Sequence, residues 1–442
     1  MGSRLTLRDS QQFAENTQII RELRGGGRLL LELPTFFYSC KSVSELELLG
    51  TSDKLEAAPP GLFLPLSSLV ELASKLRMGR FARNFDLRTI PKFFDPEVEI
   101  FHGFGDPLRR NWFVSLRRLT NVTVDRKIET DLVTLRKEEY NDWILSIHRQ
   151  KAFWLLVEAC VQAQAKMDAD LVIPFVPVID GRSSEVTDLA VSINRSVAST
   201  IIHAPLKPFG SSYYFVLTGS ALRNNGFRTA LEDFLFTDSI NEADGEHNPH
   251  VLFIKILGLD ELTDDEMFEF RNLVETLNTA RRLNRLAVFL LDSGEAGFAL
   301  LASGFDGYSE GAGSKLEAGG ADKYSCEQRL DYLWMSRDLG VSGLLPFDSI
   351  VSLFERNGYA YPCQHKCCRY KQGVHPQHVG SQTWNNDAIT HLVNTRLALI
   401  NSYREALKTG NRTGIRDFLA HSVSCGRYLN WVDRPPSRSA SE

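Results

Sequence analysis

The residues with the clearest chemistry lie between Pro362 and Ala406. Cys363, His365, Cys367 and Cys368 fall within six positions, and His391 follows Cys368 after 22 residues, opening a helical segment that runs to Ala406. Thiolate and imidazole are the donors that Zn²⁺ takes in tetrahedral structural sites, often as a tight cluster closed by a distant residue. Cys363, His365, Cys368 and His391 make such a set, a Cys-x-His-x-x-Cys knuckle closed by a helix-borne His, with Cys367 in reserve. The other reading is an ordinary loop with surface His and buried Cys. Three of the chain's seven Cys within six residues weigh against it.

A second group of candidates is carboxylates that follow apolar runs. Asp180 follows Ile179, Asp260 lies just after the run 251–256, Asp292 follows Leu291, and Asp306 and Glu310 belong to Phe305-Asp-Gly-Tyr-Ser-Glu310. A carboxylate at the end of a strand can serve as nucleophile or general base. Taken singly, each is better read as a helix cap or turn residue, where Asp is common for hydrogen-bonding reasons.

The elements that must carry these groups alternate. Residues 28–39 read as a strand pair, or a strand running into a loop, interrupted by Pro34, and 66–77 as a capped helix. Val98–Gly105 suggests a strand ending in a Gly-rich turn, and 137–166 a single long amphipathic helix. Then follow a buried-strand pattern over 170–179, a helix near 185–198, a strand at 213–217, a helix near 221–235 and a strand at 251–256. The helix 263–281 opens with the capping-box spelling Thr263-Asp-Asp-Glu266, and a strand at 286–291 and a short helix at 295–302 follow. Repeated βα units of this number and length predict a (βα)₈ barrel. A doubly wound sheet is the alternative, but no Gly-x-Gly-x-x-Gly follows a strand. Residues 311–322 read as a mobile Gly-rich loop and the end of the chain as a disordered tail.

Composition bounds the partners. With 43% apolar and 24% charged residues in 442, the chain reads as a globular protein without a membrane span. The absence of a signal-peptide core and the odd, clustered Cys predict a cytoplasmic protein. A net charge of −5 argues against a generally basic nucleic-acid coat. Two local basic clusters remain, Arg109, Arg110, Arg117 and Arg118 interleaved with Trp112 and Phe113, and Lys366, Arg369 and Lys371 beside the knuckle; each reads equally well as a solvated face.

The stretch from Cys363 to Phe418 resembles the C-terminal zinc module of tRNA-guanine transglycosylases and their DNA-modifying relatives. Cys363, His365 and Cys368 fall on the family's knuckle, with His365 in place of the middle Cys, and His391 falls on the distal ligand. Arg404-Glu405-Ala406 and Ile415-Arg-Asp-Phe418 keep their family distances, while Leu392 stands where the family has Asn. A looser likeness covers Leu33-Pro-Thr-Phe36, Tyr214–Gly219, Ile254–Leu259 and Gly304–Ser309. The resemblance implies a (βα)₈ barrel over 1–354, a zinc-binding helical module over 355–426 and a tail over 427–442. It implies a structural Zn²⁺ and base exchange on a nucleic acid, DNA slightly favoured over tRNA, with guanine leaving and a 7-deazaguanine base entering. Base binding would fall to Thr218, Gly219, Gly258 and Asp180.

The family's pocket Gln falls on Thr218 and its nucleophilic Asp on Ser309, and its Asp-Ser-Gly-Gly-Phe-Gln signature is only echoed by Asp292-Ser-Gly294. Either Asp306, Asp292 or Glu310 has taken over the chemistry, or the chain is a catalytically silent subunit that binds nucleic acid beside a partner subunit. An unrelated barrel hydrolase with a catalytic metal ranks last, because the strand ends offer almost no His.

Overall fold

A computed structural model describes residues 5–11, 20–25, 28–40, 42–77, 89–102, 106–203, 208–238, 251–283, 286–311, 329–330, 332–336, 341–363, 365–369 and 372–423. Most of the expected loop 311–322, the tail 427–442 and Lys371 lie outside them. Among the described residues no helix is long and apolar enough to cross a membrane.

Three antiparallel strands, β1 (Leu5–Gln11), β2 (Ile20–Gly25) and β3 (Arg28–Leu33), precede the main sheet. That sheet has eight strands, all parallel: β4 (Thr35–Ser39), β5 (Leu62–Pro65), β6 (Lys92–Asp95), β7 (Val178–Ile179), β8 (Tyr213–Thr218), β9 (Val251–Leu257), β10 (Ala287–Leu291) and β11 (Gly307–Glu310). Their spatial order is β6-β5-β4-β11-β10-β9-β8-β7. The first strand therefore pairs with the last, as in a ring, and helices follow the strands around the curled sheet. The outermost strands are β6 and β7, and the segment leading into β7 reaches across: Asp170 N donates to Lys92 O (3.1 Å), and Lys92 N donates to the Asp170 carboxylate (2.9 Å).

Apolar side chains fill the sheet's interior. Phe37, Phe93, Phe253 and Phe289, from β4, β6, β9 and β10, lie with neighbouring ring centroids 4.8 to 5.7 Å apart. Gly307 leaves room for this layer, since a Cβ there would sit 2.5 Å from the Phe289 ring. Strand side chains alternate between faces. Ser39, Asp95 and Lys255 are therefore one step further along the same face, toward the C-terminal ends.

Two expected elements differ. Where a strand is expected from Val98, Glu99–His102 is a short helix, and the strand lies earlier, at Lys92–Asp95; residues 103–105 of the expected element lie outside the described residues. Pro96 cannot donate to a ladder, and Asp95 Oδ1 accepts Glu97 N (2.9 Å), turning the chain there. The helix expected over 137–166 is two helices, Tyr140–Ile147 and Lys151–Lys166, separated at Gln150, whose ψ of 142° is extended. The capping box at Thr263 forms as expected, with Thr263 N donating to Glu266 (3.0 Å) and Glu266 N to Thr263 Oγ1 (3.3 Å). The cluster around Arg109 is not a stacking platform. Trp112 and Phe113 are fully buried, and Arg109 donates to the carbonyls of Ile100, Leu132 and Leu135.

Beyond the sheet, the hairpin Tyr332–Ser336 and Val341–Leu345 leads into the helix Phe347–Arg356, which runs through the expected boundary at residue 354. The helix Ser381–Thr409 closes the molecule against the sheet, ending on Gly410 in the left-handed conformation. Its Arg396 makes a two-pronged bond to Glu310 of β11 (2.7 and 2.9 Å), both side chains fully buried. Removing one partner of such a pair strands the other charge. Arg396→Met should cost about 3–5 kcal/mol, and adding Glu310→Leu should recover most of it. Denaturant unfolding of the single and double variants checks this, and additive losses would refute it.

Candidate active site and metal centre

At the C-terminal end of the main sheet, one lysine gathers three carboxylates. Lys255 sits near the end of β9 with its side chain buried, and its Nζ lies 2.8 Å from Asp95 Oδ2, 2.6 Å from Glu99 Oε1 and 2.7 Å from Asp292 Oδ2. Each neighbour is positioned in turn. Asp95 ends β6 and also accepts Tyr214 OH (3.2 Å). Asp292 stands just after β10 with φ of +48°. Its Oδ1 accepts Ser39 Oγ (2.8 Å), and its backbone N donates to Ser309 Oγ (2.6 Å). Glu99 comes from the short helix after β6, and its Oε2 is buried with no hydrogen-bond partner among the described residues.

One ammonium cannot neutralise three carboxylates in a poorly solvated site, so the acids divide into different roles. Burial works against the charge on Lys255, but Asp292, Asp95 and Glu99 outweigh it and hold the amine protonated well beyond the usual lysine range. For Glu99, burial and then the Asp95 charge outweigh Lys255 and raise its pKa. Glu97, next to them, accepts Ser67 N and Oγ, yet burial together with Asp95 and Glu99 pushes it up to about 8. The site thus offers lysine-bound carboxylate for attack or charge stabilisation, and beside it Glu97, a carboxyl group able to keep a proton near neutral pH, and Glu99, shifted in the same direction.

Of the acids expected to do chemistry, Asp292 alone belongs to this cluster. Asp306 precedes β11 rather than ending it, at the opposite end of the sheet. It accepts Arg281 Nε (2.8 Å) and Val288 N (3.0 Å) and pairs with Arg21. Glu310 is held by Arg396, as described above. Both are held by arginine in the interior rather than by Lys255. The expected base-binding residues lie on the same rim as Lys255. Asp180 follows β7, Thr218 ends β8, Gly219 opens the short helix Gly219–Leu222 directly after it, and Gly258 follows β9 with φ of +69°. The Asp180 carbonyl accepts Ser220 Oγ (2.8 Å), and Thr218 Oγ1 meets the same Ser220 hydroxyl (2.8 Å), so two strand ends are tied together. Sequence reasoning missed Asp95, Glu99 and Lys255. Their signal was a polar residue two places after a Phe in Phe93-Phe-Asp95 and Phe253-Ile-Lys255.

The second cluster lies where the C-terminal helix meets the knuckle. The donor atoms of Cys363, Cys368 and His391 all lie within 4.8 Å of one another. His391 Nδ1 is 3.4 Å from Cys363 Sγ, 3.6 Å from Cys367 Sγ and 3.5 Å from Cys368 Sγ. Its other nitrogen, Nε2, lies 2.8 Å from Leu333 O. A carbonyl only accepts, so Nε2 carries a proton; Nδ1 faces the sulfurs, and in the neutral ring its lone pair would be the one offered to a metal. Tyr332 stacks on the imidazole, centroids 4.7 Å apart, with its hydroxyl 2.7 Å from Cys368 Sγ. Burial opposes charge here too, but the Cys368 and Cys363 sulfurs outweigh it and raise His391 to about 10. Burial opposes ionisation of Cys368, but hydrogen bonds from Cys363 and Cys367 and the neighbouring imidazole outweigh it and hold the thiol well below its usual range. This soft, convergent donor set fits a metal that prefers sulfur and nitrogen, as zinc does.

His365 is placed differently. Its Nδ1 lies 3.0 Å from Glu56 Oε2, and Lys366 N donates to the other oxygen of the same carboxylate (3.0 Å). The side chain of Arg369 lies outside the description.

No family model matches the chain, and no curated protein matches it.

Lys255→Met should destabilise the protein by about 3–5 kcal/mol near pH 7, because three carboxylates lose their common counter-ion. Part of the loss should return near pH 5 as they protonate; an unchanged urea midpoint at both values would show that Lys255 is not the neutralising charge. Glu97 gives a separate pH signature. The folded state keeps its proton where the unfolded chain has lost it, so its contribution to stability falls as pH rises from about 4.5 to about 8, then levels. Urea midpoints for Glu97→Gln should decline less over that window than wild-type midpoints; parallel curves would refute the assignment.

Proposed function

We propose that this chain is a nucleic-acid base-exchange enzyme of the guanine transglycosylase type, built on a closed (βα)₈ barrel with a zinc-binding module at its C-terminal end. The observation that carries the reading is the cluster of Asp95, Glu99 and Asp292 around Lys255 at the C-terminal ends of parallel strands, where barrel enzymes hold their reacting groups. The ring-like strand order and the Asp170–Lys92 bonds support the barrel. The Cys363, Cys368 and His391 donors support the module, in which Zn²⁺ would be structural. The metal fixes the fold of its segment when bound, and no step of the reaction needs it.

In this reading Asp292 is the nucleophile. Lys255 and Ser39 hold and aim its carboxylate. Asp292 attacks the sugar C1′, and the glycosidic electron pair leaves with guanine. Glu99, whose environment favours its protonated form, gives the departing base its proton. A 7-deazaguanine then binds the same rim, gives its ring-nitrogen proton to Glu99, and displaces the Asp292 ester. Asp95 is a positioning residue, bridging Lys255 and Tyr214. The target base must leave its stack to reach such a site, which suits an unpaired or flipped nucleotide in DNA, slightly favoured here over tRNA.

A catalytically silent subunit acting with a protein partner is the second reading. It is favoured by the Lys255 amine occupying the position between the three carboxylates, and by Ser309 being buried and bonded to Asp292 N.

Base exchange separates the two. Purified protein is incubated with labelled guanine or 7-cyano-7-deazaguanine and either tRNA or duplex DNA, and the polymer is digested to nucleosides for mass analysis. Incorporation should occur into one polymer and fall at least about 10³-fold in Asp292→Asn, as for loss of a catalytic nucleophile. No incorporation into either polymer by folded protein favours the silent subunit. Incorporation that survives Asp292→Asn removes Asp292 from the mechanism.

A further inference from the structure

We propose that the metal in the C-terminal module is held by Cys363, Cys367, Cys368 and His391, so that two adjacent cysteines are ligands and His365 is not one. The inference rests on the zinc reading above and fixes its fourth donor.

Four of the donor distances match the edges of a tetrahedron around one metal. With Zn–S near 2.3 Å and Zn–N near 2.0–2.1 Å, a regular tetrahedron has N···S edges of about 3.6 Å and S···S edges of about 3.8 Å. His391 Nδ1 stands 3.4, 3.6 and 3.5 Å from the sulfurs of Cys363, Cys367 and Cys368. The Cys367 and Cys368 sulfurs are 3.9 Å apart. Cys367 thus stands at tetrahedral edge lengths from both His391 and Cys368, and its side chain is fully buried. A single helical turn, Lys366–Arg369, presents both sulfurs inward.

His365 has another task. Its Nδ1 meets Glu56, which also accepts Lys366 N, while Glu56 N donates to Asn394 Oδ1 (2.9 Å). Its ring centroid lies 6.1 Å from that of His391, and among the described residues no bond joins its Nε2 to a sulfur. His365 thus joins the knuckle to the segment after the first sheet helix, Val43–Thr51, outside the donor cluster.

The test is metal content and cobalt spectroscopy of the full chain. Protein purified without chelator should carry about one zinc per chain, as a closed four-ligand site does. His365→Ala should keep that metal, and Cys367→Ser should lose it or bind it far more weakly. Exchange of zinc for Co²⁺ in wild-type protein should give the sulfur-to-cobalt charge-transfer intensity of three thiolates, and His365→Ala should leave that spectrum unchanged. This arm still decides the matter if Cys367→Ser does not fold. A two-thiolate spectrum, or loss of metal in His365→Ala with retention in Cys367→Ser, would overturn the assignment of Cys367 while leaving a metal site. Wild-type protein that binds neither zinc nor cobalt would instead overturn the zinc reading itself.

Discussion

The arrangement of the sheet's C-terminal end depends on one buried ammonium. Three carboxylates converge from β6, the short helix after it and the end of β10, and without Lys255 their mutual repulsion would be unopposed in a site with little water. Beneath them lies the aromatic layer of Phe37, Phe93, Phe253 and Phe289. The sheet's two-residue period converts that apolar layer directly into the polar one above, since Ser39, Asp95 and Lys255 each follow one of those Phe residues by two positions. Packing and chemistry are thus successive steps along the same three strands. The imbalance of one cation against three anions is also what lets nominally identical carboxyl groups behave differently, Asp292 bound to Lys255 and Ser39, Glu99 and Glu97 displaced toward their neutral forms.

The C-terminal helix Ser381–Thr409 plays the corresponding part on the outside. Its polar residues are spent on the sheet's connections. Thr390 donates to Ser52 (2.9 Å), Asn394 brackets Lys54 and Glu56, and Asp387 pairs with Lys54. Such directional contacts set the helix's register in a way that apolar burial alone does not.

Much of this was legible in the sequence, for identifiable reasons. The strands at 213–217 and 286–291 are uninterrupted apolar runs and that at 251–256 is broken only by Lys255, and runs of that length bounded by polar turns read as buried parallel strands. The Cys/His cluster was legible because Cys is rare in this chain and three of its seven lie together. Spacing within the cluster was not decisive. A one-turn helix brings Cys367 and Cys368 to the same side, and a linear pattern matched to a known knuckle passes over Cys367 in favour of His365. Residues 92–99 were unreadable because a four-residue strand gives too short a period, and the Asp95–Glu97 turn that ends it looks like any polar loop. Asp306 and Glu310 were drawn into the candidate set by their apolar neighbours. Their arginine partners, Arg21, Arg281 and Arg396, lie far off in the chain and carry no mark of that pairing.

His391 and Arg396 lie five positions apart on one helix, about 7.5 Å along its axis at the usual rise. One takes part in the thiol cluster and the other grips the end of β11, next to Ser309, whose hydroxyl meets the backbone of Asp292. A rigid helix transmits displacement over so short a span without loss. The knuckle and the strand ends are therefore parts of a single cooperative unit, and their amide protons should open to solvent together rather than as separate segments.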